Sequence, residues 1–186
     1  MTYNEQYYKY LGKISWKGKF FRQRIVYPNI HSWATGHTLD IGCGLGLFLK
    51  TDSNAIGVDI NEFCVQHCHN IMPGRVKLMQ EDILPFSDRT FNSVVLDNVI
   101  EHIYDPIPLL NETKRVLKKP GNIIVLVPGI KGFARDNDHK VFYDFNKINE
   151  LAKELKLEIV KQKSLPVPFL SRYLSAFCYF NVLRCQ

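Results

Sequence analysis

Long apolar runs are missing from this 186-residue sequence. None reaches the roughly 20 residues that a membrane-spanning helix requires, so an integral membrane helix is not expected. The opening residues Met1-Thr2-Tyr3-Asn4-Glu5-Gln6 hold no basic stretch followed by an apolar one, which argues against a secretory signal. Internal repeats and low-complexity segments are lacking too, and with them the case for a solenoid or an extended linker. Cysteine is sparse: five residues, an odd number with no framework spacing, read as reduced thiols of a cytoplasmic protein. Acidic residues are outnumbered, 18 against 24 basic ones, for a net charge of +6.

What is present is ordinary for a globular chain: 46% apolar and 23% charged residues, enough for one self-sufficient core. A single domain, 1–186, is expected, with 1–35 a helical segment of one or two helices over the sheet's end and 36–186 the core. The early basic residues Lys9, Lys13, Lys17, Lys19, Arg22 and Arg24 suit an anionic partner such as RNA, a phospholipid surface or a phosphorylated sugar. No RNA-binding motif accompanies them, and a solvated basic face is the preferred reading. The sequence carries no signal for oligomeric state.

From Thr38 onward, strand-like and helix-like segments alternate. Thr38–Ile41, Ala55–Ile60, Val76–Gln80, Ser93–Leu96 and Asn122–Val127 are short, apolar runs suited to strands buried on both faces. Glu62–Ile71, Ile107–Leu117 and Asn146–Leu155 carry helical spacing, and Pro120-Gly121 is read as the stop of the second. Leu157–Lys163 and Cys178–Arg184 close the chain as two strands without a full helical crossover. The expected fold is α/β: a Rossmann-like, doubly wound, seven-stranded and mostly parallel sheet, with an antiparallel C-terminal edge pair and helices on both faces. The aromatic tail Phe169–Phe180 is read as core and part of a pocket rim, with a dimer patch or an interfacial membrane contact as alternatives.

Gly42, Gly44 and Gly46 follow the first strand and precede a short helix, Leu47–Lys50. Glycines let the backbone turn tightly and approach a ligand, and a fresh helix start offers free N–H groups. Asp40 directly precedes the loop, and Asp59 ends the second strand, where a carboxylate accepts ribose hydroxyls in nucleotide folds. Asp59 as a plain helix-capping residue is the competing reading.

With these motifs the chain resembles the class I S-adenosylmethionine-dependent methyltransferases of the type 11 group. Leu39-Asp40-Ile41-Gly42-Cys43-Gly44-Leu45-Gly46 is similar to that family's first motif, and Gly57-Val58-Asp59-Ile60 to its second strand. Glu81-Asp82-Ile83-Leu84-Pro85-Phe86-Ser87-Asp88 resembles the stretch whose Asp-Ile pair lies by the adenine. Asn98-Val99-Ile100-Glu101-His102, Arg115-Val116-Leu117-Lys118-Lys119-Pro120-Gly121 and His139-Lys140-Val141-Phe142-Tyr143 follow in family order. The resemblance spans roughly 36–186. It implies S-adenosylmethionine as cofactor and S-adenosylhomocysteine as product. The cofactor residues it implies are Asp40, Gly42, Cys43, Gly44, Gly46, Asp59, Ile60, Asp82, Ile83 and Asn98.

Methyl transfer asks the protein to align acceptor and methyl, exclude water and sometimes take a proton. His102 is a candidate general base, with Glu101 and His139 beside it on the acceptor side; a helix-capping role for Glu101 and His102 is the plainer reading. Convergence of Glu101, His102 and His139 on a cation is not expected, because Asn98 stands where some RNA 2′-O-methyltransferases have a further Glu. Cys64, His67, Cys68 and His69 are read as core cysteines and surface histidines rather than a zinc site. The expected function is methyl transfer to a small-molecule, lipid-linked or saccharide acceptor. RNA or protein methylation, and a non-catalytic cofactor-binding subunit, are the alternatives.

Overall fold

In the computed structural model, residues 2–166 and 177–186 are described. Seven strands form one sheet in the order β3-β2-β1-β4-β5-β7-β6. These are β1 (Thr38–Ile41), β2 (Ala55–Asp59), β3 (Val76–Leu78), β4 (Phe91–Asp97), β5 (Leu117–Pro128), β6 (Glu158–Leu165) and β7 (Cys178–Cys185). Neighbours from β3 to β5 pair in parallel, while β7 runs antiparallel to both β5 and β6. The expected doubly wound sheet with an antiparallel C-terminal edge is what the chain forms.

Period-2 alternation splits the strands' side chains between two cores. On β5, Ile123, Val125 and Val127 enter one core, which holds Leu109, Leu110 and Val116 of α5 (Ile107–Val116) and Ile148 and Ala152 of α7 (Phe145–Glu154). Ile124 and Leu126 enter the opposite core, with Val65 and Cys68 of α4 (Glu62–Ile71) and Tyr27 and Ile30 of α3 (Tyr27–His31). A four-residue α6 (Ile130–Phe133) follows β5.

The N-terminal segment forms two helical rods. In α1 (Tyr3–Gly12) the Thr2 hydroxyl accepts from Glu5 N–H as N-cap. The second rod runs without a break through α2 (Trp16–Phe21), a π-helical turn Arg22–Val26 and α3. Among the described residues, no helix is long and apolar enough to cross a membrane. Most of the aromatic tail lies outside the described residues; Phe177, Cys178 and Phe180 at its end are buried.

Several boundaries differ from expectation by a residue or more. Helix α5 ends at Val116, because Leu117 is already extended at φ −82, ψ 134 and fully buried. Pro120-Gly121 therefore does not stop the helix but lies inside β5. There the register jumps from Leu117 opposite Phe91 to Asn122 opposite Ser93, as a residue without an N–H requires. The short helix after the glycines is a 3-10 turn, Leu49–Thr51, since the positive φ of Gly46 prevents an earlier start. Strand β3 ends at Leu78 rather than Gln80, which forms only an isolated bridge with Ile83.

Candidate functional site

The strand order reverses between β1 and β4, both parallel and adjacent. In an open α/β sheet the crevice outside the carboxyl ends at this switch point takes the ligand. Two loops meet there: residues 42–48 after β1 and 98–103 after β4.

All four β1 residues are buried. Leu39 and Ile41 face the α5–α7 core, so Asp40 between them faces the other side, toward the N-terminal helices. The chain then reverses with Gly42, Gly44 and Gly46 at φ +70, +52 and +68, a conformation L side chains rarely adopt. A Cβ on Gly42 would lie 2.8 Å from Val99 Cγ2, and one on Gly46 would strike Met72. Gly44 instead presents bare backbone to the crevice. Its N–H donates to Asp59 Oδ2 at 2.7 Å, and Asn61 N–H donates to Asp59 Oδ1 at 2.8 Å. Asp59 thus ties the glycine loop to the end of β2, and each oxygen keeps a lone pair for a further donor. Burial raises its pKa, while these backbone N–H groups pull it back down.

After β4, Asn98 sits at φ +60 with its N–H donating to Leu126 carbonyl at 3.0 Å. Asn is among the few residues that tolerate that region. Asp97 forms an ion pair with Arg22 of the π-helical turn. Burial, then the charges of Asp97 and Asp59, raise the pKa of Asp40 well above the usual carboxylate range; Arg22 opposes this. Arg22 itself is held charged chiefly by Asp97.

Glu101, His102 and His139 gather at the far side. The Glu101 side chain is fully buried, and neither carboxylate oxygen has a hydrogen-bond partner. Burial pushes its pKa up to about 8. His139 Nε2 lies 3.9 Å from Glu101 Oε1, while its Nδ1 faces the Phe133 carbonyl at 2.8 Å. His102 Nδ1 meets Asp138 Oδ2 at 3.2 Å. Burial, then the neighbouring His139, lowers the His102 pKa, which favours the neutral imidazole, the form that accepts a proton or ligates a cation. Glu101 carbonyl accepts from the N–H groups of Lys140 and Val141 at 2.7 and 3.1 Å, which fixes the His139 segment against Glu101.

These loops enclose a cavity of about 920 Å³, ample for a nucleoside-sized ligand. Of the sequence-derived residues, Asp40, Gly42, Cys43, Gly44, Asp59, Ile60, Asp82, Asn98, His102 and His139 line it. Gly46 and Ile83 do not: Gly46 packs beneath α4, and Ile83 is 58% exposed outside the lining. Glu101 lies behind the wall. Ile60, 57% exposed, presents aliphatic surface to the cavity. Cys64 and Cys68 are buried and His69 is exposed; His67 Nδ1 lies 3.4 Å from the Tyr8 hydroxyl. Sequence reasoning missed Arg22, Asn61, Asp97 and the α1 residues Tyr7 and Leu11, all of which line the cavity. The Arg22–Asp97 pair spans 75 positions, and no spacing rule links residues that far apart.

Residues 39–125 match the family model described as a methyltransferase domain, type 11. An uncharacterised protein of Methanocaldococcus jannaschii is 37% identical over 116 residues, covering 56% of this chain and 48% of that protein. A probable S-adenosylmethionine-dependent methyltransferase of Mycobacterium tuberculosis is 32% identical over 126 residues, covering 64% of this chain and 46% of that one. The chain thus spans about half the length of these curated relatives. Among solved structures, a SAM-dependent methyltransferase from Thermotoga maritima superposes with a TM-score of 0.77 at 18% identity over 100% of both chains, a likeness of fold. From the glycine loop through most of β5 the chain is thus similar to the S-adenosylmethionine-dependent methyltransferase domain of the type 11 group, and its sheet has the strand order of a Rossmann-like fold.

Proposed function

We propose that this chain transfers a methyl group from S-adenosylmethionine to a small-molecule, lipid-linked or saccharide acceptor. The observation that carries this reading is the Asp59–Gly44 tie: a carboxylate and a bare backbone amide held together inside a cavity at the switch point. When bound, S-adenosylmethionine supplies a methyl carbon activated by a sulfonium, and S-adenosylhomocysteine is the product. The chain's own residues hold, orient and enclose. Asp59 accepts ribose hydroxyls with the lone pairs its backbone partners leave. Ile60 and Asp82 flank the base. Asp40, Gly42, Cys43 and Asn98 surround the amino-acid end, where the anionic Asp97 and cationic Arg22 suit a zwitterion. Helix α1 covers the crevice and keeps water out. Glu101, His102 and His139 act on the acceptor side.

Calorimetric titration with S-adenosylmethionine tests the reading. Saturable one-site binding is expected, weakened roughly 10- to 100-fold in Asp59→Ala by loss of charge-assisted hydrogen bonds of about 1.5–3 kcal/mol. No heat from the folded wild type, or equal affinity in the variant, contradicts it.

A further inference from the structure

A fully buried carboxylate without a partner is costly, and proteins rarely leave one so. Glu101 is such a group. A proton on it would need an acceptor, and the one His nitrogen facing it, His139 Nε2, stands 3.9 Å away, beyond hydrogen-bond reach. The ligand atoms of Glu101, His102 and His139 all lie within 4.8 Å of one another. Both imidazoles are also turned by an outer partner. The Phe133 carbonyl faces His139 Nδ1 at 2.8 Å, and the Asp138 carboxylate faces His102 Nδ1 at 3.2 Å. A carbonyl or carboxylate accepts from Nδ1–H and leaves Nε2 with a free lone pair, the arrangement that orients metal-binding histidines.

We propose that Glu101, His102 and His139 form a site for a divalent first-row transition-metal ion. Two imidazole nitrogens and one carboxylate oxygen favour Mn, Fe, Co or Zn over Mg or Ca. Three protein ligands leave coordination positions open. His102 and His139 line the cavity and Glu101 lies behind it, so the open positions face the pocket. The ion's role rests on the methyltransferase reading: it takes an acceptor hydroxyl oxygen and lowers its pKa. The acceptor's proton leaves to solvent, its oxygen forms a bond to the methyl carbon, and the carbon–sulfur bond breaks with its electron pair returning to sulfur. The acceptor class is thereby an oxygen compound. Asn98 lines the same cavity from the preceding loop and supplies no carboxylate, so the ion keeps a single anionic ligand.

The experiment titrates untagged full-length protein with Co²⁺, followed by visible d–d absorption and calorimetry. One equivalent per chain is expected, with saturable binding lost in Glu101→Gln and in His139→Ala. Asp138→Asn should weaken it about 10- to 100-fold by disordering His102. Glu101→Gln is isosteric and preserves a neutral hydrogen-bonding group, so a purely structural Glu101 predicts unchanged Co²⁺ affinity. That result, or wild-type binding no tighter than His139→Ala, overturns the site. A parallel titration with S-adenosylmethionine separates the two readings. Cofactor binding without Co²⁺ binding sinks the ion site alone; Co²⁺ binding without cofactor binding leaves the site standing and sinks the methyltransferase role.

Discussion

At the scale of single residues, the cofactor loop is built by residues that accept poor backbone or electrostatic terms. Gly42 adopts φ +70 beside Val99. Gly42→Ala is therefore expected to cost about 1–2 kcal/mol for the left-handed conformation alone, read as a lower urea midpoint with an unchanged m-value. Asp40 is buried near Asp59 and Asp97, a placement that favours ligand over stability. Its folded pKa lies above the unfolded value of 3.8. The folded state then binds more protons through that window, and stability is lost as pH rises through the folded pKa. Asp40→Asn removes this penalty. The ligand-free variant should be more stable than wild type at pH 7, with the gain vanishing as the pH approaches 3.8. A constant difference across that range would place the destabilisation elsewhere.

At the scale of elements, α1 is the piece with least local support and most bearing on the site. Its fixings are polar and aromatic: Asn61 Nδ2 donates to the Asn4 carbonyl at 2.8 Å, Tyr8 meets His67 and Phe63 of α4, and the Tyr7 ring stands edge-on to His102. Its Leu11 lies 3.4 Å from where a Gly44 Cβ would stand. An element so placed opens readily and closes on a ligand beneath it. Hydrogen exchange should therefore slow over residues 3–12 when S-adenosylmethionine is added, while β1 and β4, already core strands, change little. Equal protection of α1 with and without the cofactor would remove it as a cover. The π-helical turn Arg22–Val26 serves the same region. It carries Arg22 to Asp97 and buries Val26, in keeping with the tendency of such turns to mark functional places.

For the whole molecule, the two-layer packing on one sheet makes the ligand site continuous with the core. Binding to the folded state alone stabilises the whole fold: at 100 times Kd the gain is about 2.7 kcal/mol. For a chain of this size that is roughly 5–10 °C in Tm, measurable by calorimetry. The basic N-terminal third is partly spent within the fold. Lys9 pairs with Glu5 and Arg22 with Asp97. Fewer charges than the count of six are left for an anionic partner, which leaves the solvated-face reading ahead of an RNA surface.

The placement of the glycine loop and its acids around the cavity was legible in the sequence because its determinants are local. Asp40, the three glycines and Asp59 lie on two consecutive strands with their loops, and period, turn chemistry and spacing report such features directly. The same holds for the sheet, whose apolar runs announce buried parallel strands. Misplaced boundaries fell where local rules conflict: Leu117 follows the core rather than the helix ahead of Pro120. The acceptor half is different. Arg22 reaches Asp97, α1 settles over Gly44, and His139 comes beside Glu101 through chain folding alone. Whether Glu101 caps a helix or stands buried without a partner depends on every element packed around it. Burial is a property of the assembled molecule, and only the tertiary structure decided it.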